Sequence, residues 1–404
     1  MISYEVPPHH HLTPANETHN RMSRFRQAVV EHGLDAALLL DPVNIFYLSG
    51  TTPAGQILVP ANGSPMLLVR RNLERSQAES ALEDIRGITG ITDAAVEIET
   101  RLGGTPKRIG LEMDVLPVKL FNRLHRVWPQ TEFLDISPAI LDIRAVKSDY
   151  EVDLMRRAGN LAKTVYDRIP ELLEAGISEI EMAGRIDRES YRGGHQNLLR
   201  QRGFDLDMYT WHVISGISGG IPGVLDAAFS GYGLSPAFPK GASRKTIQPN
   251  EPVLIDYGIC LDGYQVDLTR MFSIGPPPAE ALEAYDAMGE IESAILKSLK
   301  PSATGEELHH IAVQEAERLG FGHAFLGPPN NKVKFSGHGV GLEVNEPPVL
   351  AAGFNKPIAA NMTVALELKM VFPGRYAIGR ENTFVVTRET PEILTPADDR
   401  FVQV

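Results

Sequence analysis

The stretch from Val253 to Arg270 carries two carboxylates, Asp256 and Asp267, eleven residues apart in apolar surroundings. Val253, Leu254 and Ile255 read as a strand, Asp262-Gly263 as a tight turn, and Tyr264 to Phe272 as the returning strand. Asp256 ends the apolar run, where an unpaired carboxylate is costly to bury. Asp267 lies on the return, within reach of it. Two acids held together must share a proton or a cation. A cation is favoured, because three further ligand-type segments follow.

The first is Phe335-Ser-Gly-His338-Gly-Val-Gly-Leu342, where small residues let an imidazole approach a crowded centre. The second is Glu367 inside the apolar run from Thr363 to Leu368, and the third is Glu381 leading into Thr383-Phe-Val-Val386. Each reads singly as a structural residue: a hydrogen-bonded histidine in a glycine-rich segment, or a strand glutamate paired with a Lys or Arg. Together, two Asp, one His and two Glu make a hard, oxygen-rich set with one nitrogen. Such carboxylates bridge two divalent ions roughly 3.5 Å apart, and Mn²⁺, Co²⁺, Zn²⁺ and Fe²⁺ all suit the donors.

Asp256, Asp267, His338, Glu367 and Glu381 resemble, in order and spacing, the five-ligand set of the pita-bread metallohydrolases (peptidase family M24). That superfamily includes methionine aminopeptidase, aminopeptidase P, prolidase, creatinase and a dimethylsulfoniopropionate lyase. The resemblance runs from about Lys147 to Thr387, and residues 1–146 resemble the small N-terminal domain of the aminopeptidase P, prolidase and creatinase type. It implies an α+β pita-bread catalytic domain over 147–404, preceded by a smaller α/β domain over 1–146. It also implies two divalent metal ions, a homodimer, and Glu367 as the residue that takes a proton from the attacking water. The activity implied is that of an Xaa-Pro aminopeptidase or prolidase acting on a small peptide or amide.

Three positions depart from the peptidase pattern. Pro239, Lys334 and Asn345 stand where the resembling peptidases keep histidines that hold substrate and move protons. The departures fit a non-peptidase of the same fold, a creatinase-like amidinohydrolase or a lyase of the dimethylsulfoniopropionate type. A non-catalytic binding module is a third reading, opposed by retention of all five ligands. Strand alternation puts Lys334, Ser336 and His338 on one face, so Lys334 is a candidate for holding a substrate carboxylate, or else a surface lysine at the strand's start. Asn345 would replace a proton-donating group with one that cannot shuttle protons.

The elements around these residues set the scale. At 404 residues, two domains are expected. A net charge of −12 argues against nucleic acid and anionic membranes, and no apolar run is long enough to span a bilayer. Met1 to Asn20 lack the pattern of a secretory signal. Cys260, the single cysteine, fits a cytoplasmic location and reads as core filler. His9, His10 and His11 sit in a Pro-rich tail. In the first domain, helices are expected over 21–32 and 117–127. Strands are expected over 36–40, 56–60, 66–69, 108–111 and 133–135, with Ile45 to Leu48 a short apolar element. A polar joint from Arg144 leads to a helix from Glu151, and helices are expected over 178–191, 278–299 and 304–319. The Gly-rich run from Ser215 to Gly233 reads as a long functional loop.

Overall fold

The computed structural model describes residues 4–197, 199–203, 211–224 and 227–404. The chain forms two compact units, one ending at Arg144 and the other beginning at Ala145. In the first, strands β1 (Ala36–Leu39), β2 (Gly55–Pro60), β3 (Met66–Val69), β4 (Ile85–Gly87), β5 (Arg108–Leu111) and β6 (Glu132–Asp135) form one mixed sheet. Their order is β4-β3-β2-β1-β5-β6. The β2–β3 hairpin is antiparallel, as its Asn62-Gly63 turn foretells, whereas β5 and β6 run parallel to β1 and to each other. Helices cover the sheet, and Leu38, Leu58, Leu68, Ile98, Ile109 and Trp128 fill its core.

Some elements here differ from the expectation and others make it definite. The first helix starts at Ala15, directly after Pro14, rather than at Arg21. Ile45 to Leu48 belong to a helix, Pro42–Ser49, capped by Asp41 through its bond from Asn44 N and closed by Gly50 in the left-handed region. Helix Ile91–Leu102, set between Gly90 and Gly103, was not foreseen.

Glu112 is a buried acid of this unit. It accepts bonds from Leu40 N, Asp41 N and Asn44 Nδ2 at 2.7, 2.9 and 2.6 Å. Burial, helped by Asp41, outweighs these bonds and pushes its carboxyl up to about 7. Folding therefore takes up a proton between the unfolded value, near 4.5, and 7. The raised folded value means stability present at low pH and lost as pH climbs through that window, on the order of 3 kcal/mol. Melting curves at pH 5 and pH 8 should show wild type losing this stability and Glu112→Gln losing much less. Equal pH dependence in the two proteins would count against it.

In the second unit, β7 (Trp211–Ser215), β8 (Val253–Leu261), β9 (Tyr264–Ser273), β10 (Phe335–Val340), β11 (Val344–Ala351), β12 (Thr363–Phe372) and β13 (Tyr376–Val385) lie along one antiparallel path. Their order is β11-β10-β12-β13-β9-β8-β7. The β8–β9 hairpin turns on Asp262 and Gly263, both at positive φ. Behind the sheet stand helices Asp149–Tyr166, Glu179–Arg192, Ala279–Ser298 and Gly305–Arg318. Two begin with reciprocal capping boxes, Ser148 with Glu151 and Thr304 with Glu307. Alternation divides β12 between two tasks. Val364, Leu366, Leu368 and Met370 join Met288, Ile291, Leu308 and Ala312 in the helix-facing core. Ala365, Glu367 and Lys369 take the other face.

The joint at Arg144 is not a solvated linker. Arg144 and Lys147 are both 2% exposed. Arg144 donates to Asn44 Oδ1 in the first unit, and Lys147 pairs with Glu346 in the second at 3.0 Å. No helix among the described residues is long and apolar enough to cross a membrane.

Candidate metal centre

Residues directly opposed in antiparallel strands share a face. Glu367 pairs with Glu381, Glu381 with Thr269, Thr269 with Asp256, and Asp256 with His212. Five side chains thus form one row across β12, β13, β9, β8 and β7. Asp267 is two residues from Thr269 on one flank of that row. His338, opposite Ala365 and so two residues short of Glu367, is on the same flank. Lys369, two residues beyond Glu367 and opposite Gly379, is on the other.

The five residues singled out in the sequence converge. Donor atoms of Asp267, His338 and Glu381 lie within 4.8 Å of one another, and so do those of Asp256, Glu367 and Glu381. Glu381 belongs to both sets, where a bridging carboxylate would stand. Its Oε2 accepts from Thr269 Oγ1 at 2.8 Å and from Lys369 Nζ at 2.8 Å. Its Oε1 is buried without a hydrogen-bond partner among the described residues, an orphan that a cation would satisfy. His338 Nδ1 lies 3.1 Å from Gly339 O, so an Nδ1–H donates there and leaves the Nε2 lone pair bare for a ligand. The donor chemistry fits a divalent ion.

Local sequence explains the precision. A Cβ on Gly337 would come 2.6 Å from Ala365 O, and one on Gly339 2.3 Å from Pro347 O. The glycines beside His338 let neighbouring strands close up rather than clearing space for the ring. Asp267 is fixed through its backbone, since its N–H donates to Thr383 Oγ1 and its carbonyl accepts from that hydroxyl, both at 2.9 Å.

Electrostatics mark this cluster as a place that wants positive charge. Burial, followed by the charges of Glu381 and Asp256, holds the Asp267 carboxyl well above the usual range. Burial drives Glu367 to about 8 against the pull of Lys369. Burial lowers His338, and brings His212 down to about 4. Burial would also lower Lys369, but Asp256, Glu381 and Glu367 together hold its ammonium firmly protonated.

Three residues of the site escaped the sequence reading. Lys369 is 1% exposed and donates to Asp256 Oδ2 at 3.1 Å, to Glu381 and to the Thr269 hydroxyl. Thr269 occupies the row between two acids. His212 Nδ1 stands 3.8 Å from Asp256 Oδ2. The signal for Lys369 was present: a lysine two residues from Glu367 in an apolar strand must share its face.

The other named positions are exposed. Lys334 is exposed in a bend before β10, which starts at Phe335, so strand alternation does not reach it. Asn345 is exposed within β11 with φ of +66°, a conformation that Asn tolerates better than most residues. Pro239 is an exposed loop residue. The Gly-rich run is held to the unit by Glu179, which accepts from Ser215 N, Ser215 Oγ and Ser218 Oγ. Phe229 of that run places its ring 5.9 Å from Lys369 Nζ and 5.2 Å from the His212 ring. Leu225 and Asp226 of the run lie outside the described residues.

Residues 153–388 match the model of metallopeptidase family M24, and residues 21–146 that of the creatinase/prolidase N-terminal domain. An Xaa-Pro dipeptidase of Pyrococcus furiosus is 25% identical over 381 residues, 94% of this chain and 98% of its own length. One from Lactobacillus delbrueckii subsp. lactis is 26% identical over 379 residues, 91% of this chain and 94% of its own. The structure of an Xaa-Pro dipeptidase from Bacillus anthracis superposes with a TM-score of 0.82 at 23% identity, covering 96% of this chain and 100% of that one.

Proposed function

Because this chain belongs to metallopeptidase family M24, with a pita-bread unit following a creatinase-like N-terminal domain, we propose that it is a metal-dependent hydrolase of short Xaa-Pro peptides. The observation that carries the reading is the meeting of Asp256, Asp267, His338, Glu367 and Glu381 on one sheet face. The Xaa-Pro dipeptidases among its relatives support a peptidase over the amidinohydrolase or lyase alternative.

When bound, a divalent ion supplies Lewis acidity that polarises a carbonyl and acidifies water. The chain's own residues do the rest. Asp267, His338 and Glu381 would hold the ion; the side chains of His338 and Glu381 are 5% and 1% exposed, and Asp267 is half-buried. Glu367 keeps 20% exposure, so its carboxylate reaches the side from which substrate arrives and is the group placed to take a proton there. Phe229 and His212 stand beside the cluster, the Phe229 ring 5.9 Å from Lys369 Nζ and His212 Nδ1 3.8 Å from Asp256 Oδ2. Lys334 and Asn345, both exposed, take no part in this reading.

The test is an assay of Mn²⁺- or Co²⁺-loaded protein on Ala-Pro, Met-Pro and Xaa-Pro tripeptides, beside Ala-Ala, creatine and a sulfonium compound. Cleavage of the Xaa-Pro bond, lost with a chelator and restored by metal, is expected. Turnover of creatine or the sulfonium compound with every Xaa-Pro peptide left intact would retire the peptidase assignment.

A further inference from the structure

A lysine inside a cluster of four acids is itself a cation in a place built for cations. Lys369 Nζ lies 2.8 Å from Glu381 Oε2, 3.1 Å from Asp256 Oδ2 and 3.8 Å from Glu367 Oε1. These three acids are the members of one of the two candidate ligand sets. The ammonium therefore stands at the seat a second ion would use. Its three N–H donors are matched by Glu381, Asp256 and the Thr269 hydroxyl, so it is saturated where it is. It is also built in. Gly379 stands opposite Lys369, and a Cβ at Gly379 would come 3.1 Å from Lys369 Cδ and 2.8 Å from Thr269 Cγ2. The missing side chain makes the channel through which the lysine stem reaches the acids.

The other seat is different. Asp267 and His338 approach from the flank of the row away from Lys369, and the Glu381 oxygen that Lys369 does not use, Oε1, is the buried orphan. One oxygen of the shared glutamate is committed to the ammonium, and the other has no hydrogen-bond partner among the described residues. Charge arithmetic points the same way. Four carboxylates carry −4 when ionised; one ammonium and one divalent ion bring this to −1. A second divalent ion would have to sit against the ammonium, where like charges repel strongly in a dry site.

We propose that Lys369 supplies one of the two cations of this centre from its own side chain, so that the protein seats one divalent ion, at Asp267, His338 and Glu381. This rests on the reading of the cluster as a metal centre, and it revises the two ions that the ligand pattern alone suggests. It also assigns unequal roles to the two aspartates: Asp267 serves the ion, whereas Asp256 anchors the lysine.

The experiment is a count of Mn²⁺ per chain by elemental analysis after loading with excess ion and gel filtration, with electron paramagnetic resonance of the same samples. Wild type should hold one Mn²⁺ and give the six-line signal of an isolated ion. Lys369→Ala should hold two, with the signal of a coupled pair. Because that variant can fail to fold, a second pair in the wild-type background decides independently: Asp267→Asn should hold none and Asp256→Asn should still hold one. Two ions in wild type, no ion in wild type, or equal loss in both aspartate variants would overturn the proposal. One ion in a protein inert toward every Xaa-Pro peptide would leave it standing and retire the peptidase assignment; two ions in an active peptidase would do the reverse.

Discussion

Asp267→Asn is expected to abolish metal-dependent turnover while leaving the metal-free protein at least as stable as wild type. The two halves of this expectation come from one cause. Asp267 faces Glu381 and Asp256, and after burial itself their charges are what raise its carboxyl. Its ionised form is thus a liability in the empty cluster and an asset only when a cation is there. Asn keeps the volume and cannot offer a charged oxygen, and the backbone bonds to Thr383 are untouched. Loss of an outer-shell partner alone typically costs 10–100-fold in metal affinity or activity, so loss of a ligand should cost more than ~100-fold. Calorimetric titration with Mn²⁺ and melting in chelator check both halves. Tight Mn²⁺ binding by the variant, or a large drop in its chelated melting temperature, would show that Asp267 is a structural residue.

The sequence exposed the acids of this site because each breaks an apolar strand, where a buried charge has no business unless something neutralises it. The same logic applied to Lys369 would have found it, since 367 and 369 are on one face. It does not stand out among ligand types, because these are donors of lone pairs and an ammonium is the opposite. Thr269, two residues from Asp267, shares its face by the same alternation, but its place in the row between two acids, like the place of His212, depends on the register of β9 against β13 and β7 against β8, which tertiary pairing fixes. Lys334 was misplaced by extending alternation one residue past the end of a strand. At Asn345 the backbone has a positive φ that Asn tolerates better than most residues, a feature that spacing does not reveal. In the first unit, the helices at Pro42–Ser49 and Ile91–Leu102 are bounded by Asp41 and Gly50, and by Gly90 and Gly103. These stop signals were legible, but short or half-polar stretches between them carry little periodicity.

Lys369→Met should destabilise the metal-free second unit by about 3–5 kcal/mol, the usual consequence of removing one partner from a buried ion pair. Met matches the lysine stem in bulk and removes the ammonium, leaving Asp256, Glu367 and Glu381 facing one another without a cation. For a unit of this size that corresponds to a fall of roughly 6–20 °C in melting temperature. Two further measurements separate this from a simple packing defect. Divalent ion should restore most of the loss in Lys369→Met, because the seat the ammonium leaves is lined by acids that hold a metal as readily as a lysine; by mass action the recovery grows with the logarithm of free ion. Adding Asp256→Asn to Lys369→Met should also recover stability, since it removes one of the stranded charges, whereas Asp256→Asn alone should cost stability by leaving the ammonium short of a partner. A Lys369→Met protein that melts like wild type in chelator, or whose loss is deepened by Asp256→Asn, would show that the lysine does not balance the acids around it.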